Sequence, residues 1–142
     1  METYSFLDCI ISLAFPTGAL TLTGHGLSEA TVSMTETRSV MEAAADGAIM
    51  VSKVAGNQGT LSLSVQQVSD AHKFLLAMYN ALVIAPPSQW AQGAGVLRSL
   101  ADQTSHTFFG MCFQKIGDKP YRKQGEMVTW VLLCADIEAV PF

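Results

Sequence analysis

The feature that most constrains the fold is a strict polar–apolar alternation over residues 60–66, TLSLSVQ, which runs directly into a helical pattern. A two-residue period is typical of a strand with one buried face. The segment GNQG at residues 56–59 supplies turn residues before it, and residues 49–53 have the composition of a short strand. Ser69 is a suitable N-cap, and apolar residues recur at helical spacing until Pro86-Pro87. This part is predicted to form strand, loop, strand and helix, with the two strands arranged like a hairpin.

Most other segments also have β-type patterns. We expect a first hairpin from residues 6–15 and 19–23, a third strand over residues 30–37, a short strand over residues 96–101, and two long strands over residues 106–116 and 127–140. Residues 39–54 are ambiguous, because Met41 and the alanines after it could begin a helix that Asp46-Gly47 would stop. We interpret this segment as a long arm that contains the short strand over residues 49–53.

These patterns predict one domain over residues 1–142 with a mainly β fold. The expected architecture is an antiparallel β-sandwich or barrel of about seven or eight strands. One flanking helix is expected over about residues 69–85, with apolar positions at Ala71, Phe74, Leu75, Met78 and Leu82.

The composition is too apolar for an ordinary soluble monomer. Hydrophobic residues make up 49% and charged residues 14%, with a mean hydropathy of +0.30, whereas ordinary domains contain roughly 25% charged residues. The apolar stretch over residues 74–85 is well short of the ~20 residues that a membrane span requires. The first residues lack the basic region of a signal peptide, so we expect the chain to stay in the compartment where it is made. Self-association is the preferred way to cover the excess apolar surface.

The net charge of −4 argues against a general affinity for nucleic acid. Its distribution is uneven, because residues 1–71 carry two basic and seven acidic residues, while residues 72–142 carry six basic and five acidic residues. If these halves form opposite ends of the folded unit, units can stack head to tail. Chance asymmetry on a solvated surface is the alternative.

No motif indicates catalysis or cofactor binding. The chain lacks the spacings G-x-S-x-G, G-x-G-x-x-G and G-x-x-x-x-G-K-[ST]. The three histidines are isolated, with His25 expected in a turn and His72 expected to be exposed near the helix start; the third is His106. We therefore expect no catalytic residue, no metal and no cofactor.

The cysteines Cys9, Cys112 and Cys134 have neither disulfide nor zinc spacing. We interpret them as small buried hydrophobes, with one reactive thiol as the alternative. Trp90 and Trp130 are candidate core or interface anchors.

Two polar clusters have more than one interpretation. Asp136 and Glu138 share a strand face, and they are better interpreted as a solvated strand end, or as edge charges that prevent unwanted pairing, than as an acid–base pair. A polar hairpin over residues 117–125 carries cations around Tyr121, which suit a phosphate contact, a solvated tip or, as we favour, a contact with an acidic neighbouring subunit. The cations of this cluster are Lys115, Lys119, Arg122 and Lys123.

Short segments along nearly the whole chain, taken in order, resemble the tail tube proteins of contractile-tailed bacteriophages. They are TYSFLD at residues 3–8, ADG at residues 45–47, GNQGTLSL at residues 56–63, AMYN at residues 77–80, SQW at residues 88–90, and the strand that contains Trp130. The last residues, VPF, depart from the glycine-bearing end of that family. The type VI secretion tube protein is similar in fold.

The resemblance implies a structural virion protein whose six copies form a ring with a continuous inner β-barrel. Rings would stack into a tube inside a contractile sheath, in contact with sheath, baseplate and tail-terminator proteins. The tube would be assembled in the host cytoplasm, would not insert into a membrane, and would conduct double-stranded DNA without binding it specifically. A polar, weakly acidic lumen suits that role, because basic side chains would retain the duplex.

Under this resemblance, polar faces of two predicted strands supply the lumen-lining candidates Thr31, Ser33, Thr35, Ser62, Ser64 and Gln66; these faces could also point outward to the sheath. The inter-subunit arm candidates are Glu42, Asp46, Gly47, Met50, Lys53 and Asn57. The ring-contact candidates are the four cations of the polar hairpin. A small β-sandwich module that binds carbohydrate or a protein partner is the competing function, and a type VI secretion-like tube protein is the nearest related one.

Overall fold

The computed structural model describes residues 3–22 and 27–141, which form nine strands and one α-helix. The strands are β1 (Cys9–Phe15), β2 (Gly18–Leu22), β3 (Leu27–Met34), β4 (Ser39–Ala43), β5 (Ile49–Lys53), β6 (Gly59–Gln66), β7 (Gly93–Ser99), β8 (Thr104–Phe113) and β9 (Met127–Pro141). The helix is α1 (Asp70–Ile84), and short 3₁₀ turns cover Phe6–Asp8 and Pro87–Gln89. Within these described ranges, no helix is long and apolar enough to cross a membrane.

Seven strands form one antiparallel sheet in the order β2-β1-β7-β8-β9-β6-β3. The edge strands β2 and β3 are joined by a connection of four residues, 23–26. Five peptide links span at most ~19 Å, whereas the edges of a flat seven-stranded sheet lie about 29 Å apart. The sheet therefore curls into a half-barrel, in which the joined ends of β2 and β3 lie within that reach while both edges stay unpaired.

Helix α1 packs against the inner face of the half-barrel, where it contacts β2 and β6. Its N-cap is Ser69, whose Oγ accepts a hydrogen bond from the His72 N–H at 3.3 Å. Leu75 and Leu82 of the helix are fully buried against the sheet. Each such side chain contributes about 1.5–3 kcal/mol when it leaves water.

An aromatic cluster joins the helix to three strands. Phe113 of β8 lies at its centre, with ring centroids 5.2 Å from Phe15 of β1, 5.5 Å from Trp130 of β9 and 5.7 Å from Tyr79 of α1. Trp130 is fully buried, so it is a core anchor, while half-buried Trp90 packs edge-on against Tyr79. Stacked and edge-to-face pairs of this kind add stability beyond their buried area.

A bulge in β8 keeps two large side chains in the core. Phe108 and Met111 are both fully buried although they lie three positions apart in a strand, where odd spacing normally reverses the face. Gly110 between them has φ +62°, and a Cβ there would lie 2.7 Å from the Ala135 Cβ. Both the backbone conformation and the space therefore require glycine.

The predicted mainly β, antiparallel fold with one flanking helix is confirmed, as are the first hairpin and the strand over residues 49–53. β7 begins at Gly93, three residues before the start of the short strand predicted over residues 96–101. Residues 6–8 form a 3₁₀ turn rather than the start of a strand, because the Ser5 side chain accepts a hydrogen bond from the Leu7 N–H. His25 lies outside the described residues.

One prediction for residues 39–66 is wrong, and one strand was missed. The strands over residues 49–53 and 60–66 do not pair, because β5 pairs with β4, and β6 pairs with β3 and β9. β4 itself was not predicted, and its residues do not begin a helix. Five cross-strand pairs hold this hairpin, and they outweigh the high helical propensity of its alanines, because tertiary context readily overrides intrinsic propensity.

We predict that Gly110→Ala lowers the free energy of unfolding by roughly 2–4 kcal/mol, since it combines left-handed strain with crowding against Ala135. Urea denaturation of the isolated subunit measures the loss. Two glycines act as matched controls. Gly47 has φ +88° and open space, so Gly47→Ala incurs conformational strain alone, whereas Gly125→Ala meets nothing within 4 Å and should change stability by less than about 0.5 kcal/mol. Equal losses for all three variants would contradict the assignment.

Candidate assembly surfaces

The outer face of the sheet brings together polar residues of three adjacent strands. Ser62 of β6 lies between Thr31 of β3 and Val131 of β9, and Ser64 Oγ lies 3.2 Å from Thr129 Oγ1. Five of the predicted lumen residues lie on this face within strands: Thr31, Ser33, Ser62, Ser64 and Gln66. The sixth, Thr35, follows β3, where its N–H donates to Gln58 O at 2.9 Å. We call these outer-face positions of β3, β6 and residues 127–134 the polar half.

Sequence reasoning missed Thr60 and Thr129, which also lie on the polar half. The alternation around buried Trp130 places Thr129 on the opposite face, and that signal was available. No lysine or arginine occurs in β3, β6 or residues 127–134, and Glu29 is the charged residue of these segments. The polar half is therefore hydroxyl-rich and weakly acidic on β3 and β6, whereas β9 contributes Thr129 together with the apolar Met127, Val131 and Leu133.

Asp136 and Glu138 share the outer face farther along β9, as predicted, opposite Phe109 and Thr107 of β8. On the other side of β9, the pairing with β6 ends at Cys134. Past that point the Ile137 N–H donates to Asn57 O at 2.8 Å. These carboxylates thus follow a partly open strand edge, which fits charges that discourage unwanted pairing.

The outer face of β2, β1, β7 and β8 has a different chemistry. A groove of about 270 Å³ is lined there chiefly by Ala14, Ala19, Ala94, Val96 and Phe109. The Phe109 side chain is 47% exposed. We call this surface the apolar half; a large exposed aromatic in an apolar groove is typical of an interaction surface.

The hairpin of β4 and β5, residues 39–53, is the arm. All ten residues of its two strands are exposed. The cross-strand pairs Met41↔Val51 and Ala43↔Ile49 give it an apolar face, with Met41 70% and Ile49 67% exposed. The predicted arm residues Glu42, Asp46, Gly47, Met50 and Lys53 all lie in the hairpin, whereas Asn57 lies at its base.

The arm has a firm base and a defined turn. Arg38 Nη1 donates to Val54 O at 3.1 Å, and its Nη2 donates to the Asn57 side chain. At the tip, Asp46 Oδ1 accepts a hydrogen bond from the Ala48 N–H at 3.0 Å, which fixes the turn. Asp46 and Glu42 give the tip two acidic groups without a cation between residues 39 and 52.

The four predicted ring-contact cations lie in the connection between β8 and β9, residues 114–126, which we call the basic loop. Lys115 lies 3.6 Å from Asp118, and Arg122 lies 2.8 Å from Glu126. In the described part of the chain, no ion pair within 4.0 Å involves the other two cations, Lys119 and Lys123. The basic loop therefore presents unneutralised positive charge.

The arm and the basic loop lie at opposite ends of the subunit. The arm enters β6 at Gly59, which pairs with Cys134, whereas the basic loop enters β9 at Met127, which pairs with Gln66 at the other end of β6. The two surfaces are thus separated by the length of β6.

Residues 1–141 match the family model described as the Bacteriophage PhiTE tail tube protein. The chain belongs to this tail tube protein family. Tail tube proteins are structural components, so the chain is a structural tube protein and not an enzyme. No curated protein shows significant sequence similarity to it.

Solved structures show the same fold at low sequence identity. A chain of the anti-feeding prophage cap, the AFP tube-terminating cap, has a TM-score of 0.65 and 6% identity, over 100% of this chain and 93% of its own. A chain of the PVC sheath–tube complex, an extracellular contractile injection system in the extended state, has a TM-score of 0.61 and 6% identity, over 99% and 93%. A chain of the AFP baseplate has a TM-score of 0.57 and 13% identity, over 99% and 97%.

Two cysteines of this tube protein have thiols whose pKa values are raised by burial. Among residues 3–22 and 27–141, no group of three or more His, Cys, Asp or Glu side chains is placed to hold a metal ion. Burial raises the pKa of Cys134 to about 11, with the Cys112 thiol adding to the shift, and burial also raises the pKa of Cys112. Both thiols therefore stay protonated and behave as small hydrophobes.

His72 was predicted to be exposed, and that prediction is wrong. Its side chain is 5% exposed, because the first turn of α1 packs onto β9, and its Nδ1 accepts a hydrogen bond from Trp130 Nε1 at 3.1 Å. Indole N–H is only a donor, so this nitrogen carries no proton. Burial lowers the pKa of His72, and the ammonium of Lys119 lowers it further.

We predict that the tube subunit loses stability as the pH falls. His72 is neutral when folded, whereas an unfolded histidine binds a proton near pH 6.5. Its contribution is therefore complete above about pH 6.5 and decreases as the pH falls through that value toward the lower native pKa. In urea denaturation between pH 7 and pH 5, His72→Asn should show a shallower decrease, because its amide oxygen still accepts from Trp130 but does not titrate. Equal slopes would contradict the assignment.

Proposed function

We propose that the chain assembles into hexameric rings, and that the rings stack into the inner tube of a contractile tail through which double-stranded DNA passes. Membership in the tail tube family supports the tube itself. The observation that supports ring formation is the open seven-stranded sheet, whose edge strands β2 and β3 each pair on one side only. Unpaired edges are templates for another strand, and closure into a ring removes them.

Ring closure also accounts for the apolar half. This surface includes the outer face of the edge strand β2, so an adjacent copy that approaches that edge covers the groove around Phe109. The low charge and high hydrophobicity of the chain fit an obligate interface. Thus one contact would pair the backbone groups of the strand edge and also remove the apolar surface from water.

The polar half is proposed to line the lumen. Serine and threonine hydroxyls on β3, β6 and β9 keep it wettable, and the absence of lysine and arginine from these segments leaves no cation to hold phosphates. Weak repulsion from Glu29 keeps the duplex away from the wall. The cargo is proposed to be DNA rather than protein, since the matching family model is that of a bacteriophage.

The proposed partners follow from the structural neighbours, which come from a sheath–tube complex, a baseplate and a tube-terminating cap. We propose that this tube likewise contacts a sheath, a baseplate and a terminator in the virion tail, and that it is assembled in the host cytoplasm. The polar loops that remain outside the ring contact are available for these partners.

Electron microscopy of concentrated purified protein tests the ring. We expect hexameric rings and stacked tubes in negative stain. The weight-average molar mass from light scattering should rise with protein concentration as subunits associate. A monomer that persists at all salt concentrations would contradict the proposal and would favour a small binding module.

We predict that Ser62→Lys slows DNA release from particles that carry it. Six added cations in the wall of each ring attract phosphates and act as a brake, so the rate of ejection in vitro should fall at least several-fold and recover as salt is raised. Ser62→Asn is the matched control, because it keeps the site polar and uncharged. Tubes of normal appearance with unchanged ejection for Ser62→Lys would show that this face does not line the lumen.

A further inference from the structure

We infer that the basic loop is an acid-sensitive latch, which stays closed over the aromatic core while His72 is neutral and opens when His72 gains a proton. The latch is a property of the single subunit and does not depend on the proposed ring. It differs from the loss of global stability predicted above, because the loop opens while the sheet stays folded.

The basic loop covers the end of the core that contains Trp130. Gly117 of the loop is buried, and a Cβ there would lie 2.8 Å from Val128 Cγ1 and 3.2 Å from Trp130 Cε2. The next residue, Asp118, forms a β-bridge with Thr129. The loop therefore follows β9 and lies directly against the indole ring.

A second set of contacts ties the loop to the segment that precedes the helix. The Gln67 N–H donates to Glu126 O at 3.1 Å, and Gln67 Nε2 donates to Pro120 O at 3.2 Å. Between these contacts and the bridge lies Lys119, which is close enough to His72 to act on its charge. The closed loop is thus held by a few polar contacts and places a cation beside a buried histidine.

A proton on His72 would disturb this arrangement in two ways. Its Nδ1 accepts a hydrogen bond from Trp130 Nε1 at 3.1 Å, so protonation at Nδ1 would leave two donors facing each other. The imidazolium would also be buried next to the ammonium of Lys119, and an unpaired buried charge is costly. Opening of the loop relieves both effects, because it admits water and moves the lysine away.

The other charged groups around His72 do not offset this repulsion. On its own helix, Asp70 and Lys73 are both exposed and opposite in sign. The strands β2 and β6, which the helix contacts, contain no titratable residue, and β9 meets the histidine through Trp130. The carboxylates of the basic loop lie beside cations of the same loop, Asp118 near Lys115 and Glu126 near Arg122. Among the described residues, Lys119 is therefore the charge that opposes protonation.

The direction of the pH effect follows from the two states of the loop. Burial and then Lys119 lower the pKa of His72 in the closed state, whereas an exposed histidine has a pKa near 6.5. Acid therefore favours the open state. The opening equilibrium constant should rise up to about 10-fold per pH unit below pH 6.5 and level off once the closed state is also protonated.

Hydrogen exchange with mass spectrometry tests the latch in the full chain at low protein concentration. After correction for the intrinsic exchange rate, protection of residues 114–126 and of the Gln67 amide should fall about 10-fold between pH 7 and pH 5. Peptides from β1 and β7 should stay protected. A simultaneous loss of protection in the loop and in these strands would show global unfolding and would overturn the inference.

Two variants identify the groups that hold the latch. His72→Asn should remove the acid response of the loop, because its amide oxygen still accepts from Trp130 but does not titrate. Lys119→Met should reduce the response several-fold, because the pKa of His72 in the closed state then moves closer to its value in the open state.

Lys123→Met is the matched control, since it removes one charge from the same loop at a residue that does not shift the pKa of His72. Its acid response should equal that of the wild type. Equal responses of the Lys119→Met and Lys123→Met variants, or an unchanged response in His72→Asn, would overturn the inference. Circular dichroism at pH 7 checks folding, and the two lysine variants still decide the outcome if His72→Asn does not fold.

Discussion

The packing of α1 against the inner face of the curled sheet is the interaction on which the rest of the structure depends. Through Tyr79 and His72, the helix contacts Trp130 at the centre of the core, with ring centroids 6.2 Å and 5.9 Å away. Since the helix supplies the second layer of the core, the sheet can bury its inner face within one subunit. Its outer face and its edges then remain available for other copies.

The same packing assigns chemistry to each part of the outer face. Alternation fixes which residues of each strand point away from the helix, so the hydroxyls of β6 must lie outside if Leu61, Leu63 and Val65 lie inside. A shift of one residue in the register would bury the polar half. The lumen proposal and the core are therefore two consequences of one register, and they cannot be changed independently.

Sequence reasoning predicted the elements whose pattern is local. The alternation over residues 60–66 and the cap at Ser69 placed β6 and α1 within one or two residues. It failed where partners are distant in sequence, as with the pairing of β4 and β5 and the burial of His72, which depends on Trp130 58 residues away. It found most of the polar half, because strand alternation is a local pattern that identifies one face. The proximity of β2 to β3 was not predicted, because it depends on the curvature of the whole sheet.

The exposed arm is the part of the subunit that is least stabilised by contacts within the subunit itself. A two-stranded hairpin is at best marginally stable in water, and this one exposes Met41, Ile49 and Val51 without any contact to the core. Its turn and base are nevertheless well hydrogen-bonded, so its conformation is defined within the single subunit. An apolar face that costs free energy while exposed stabilises whatever covers it. Part of the exposed apolar surface of the chain thus lies on the arm, where contact with another copy, rather than folding, would bury it.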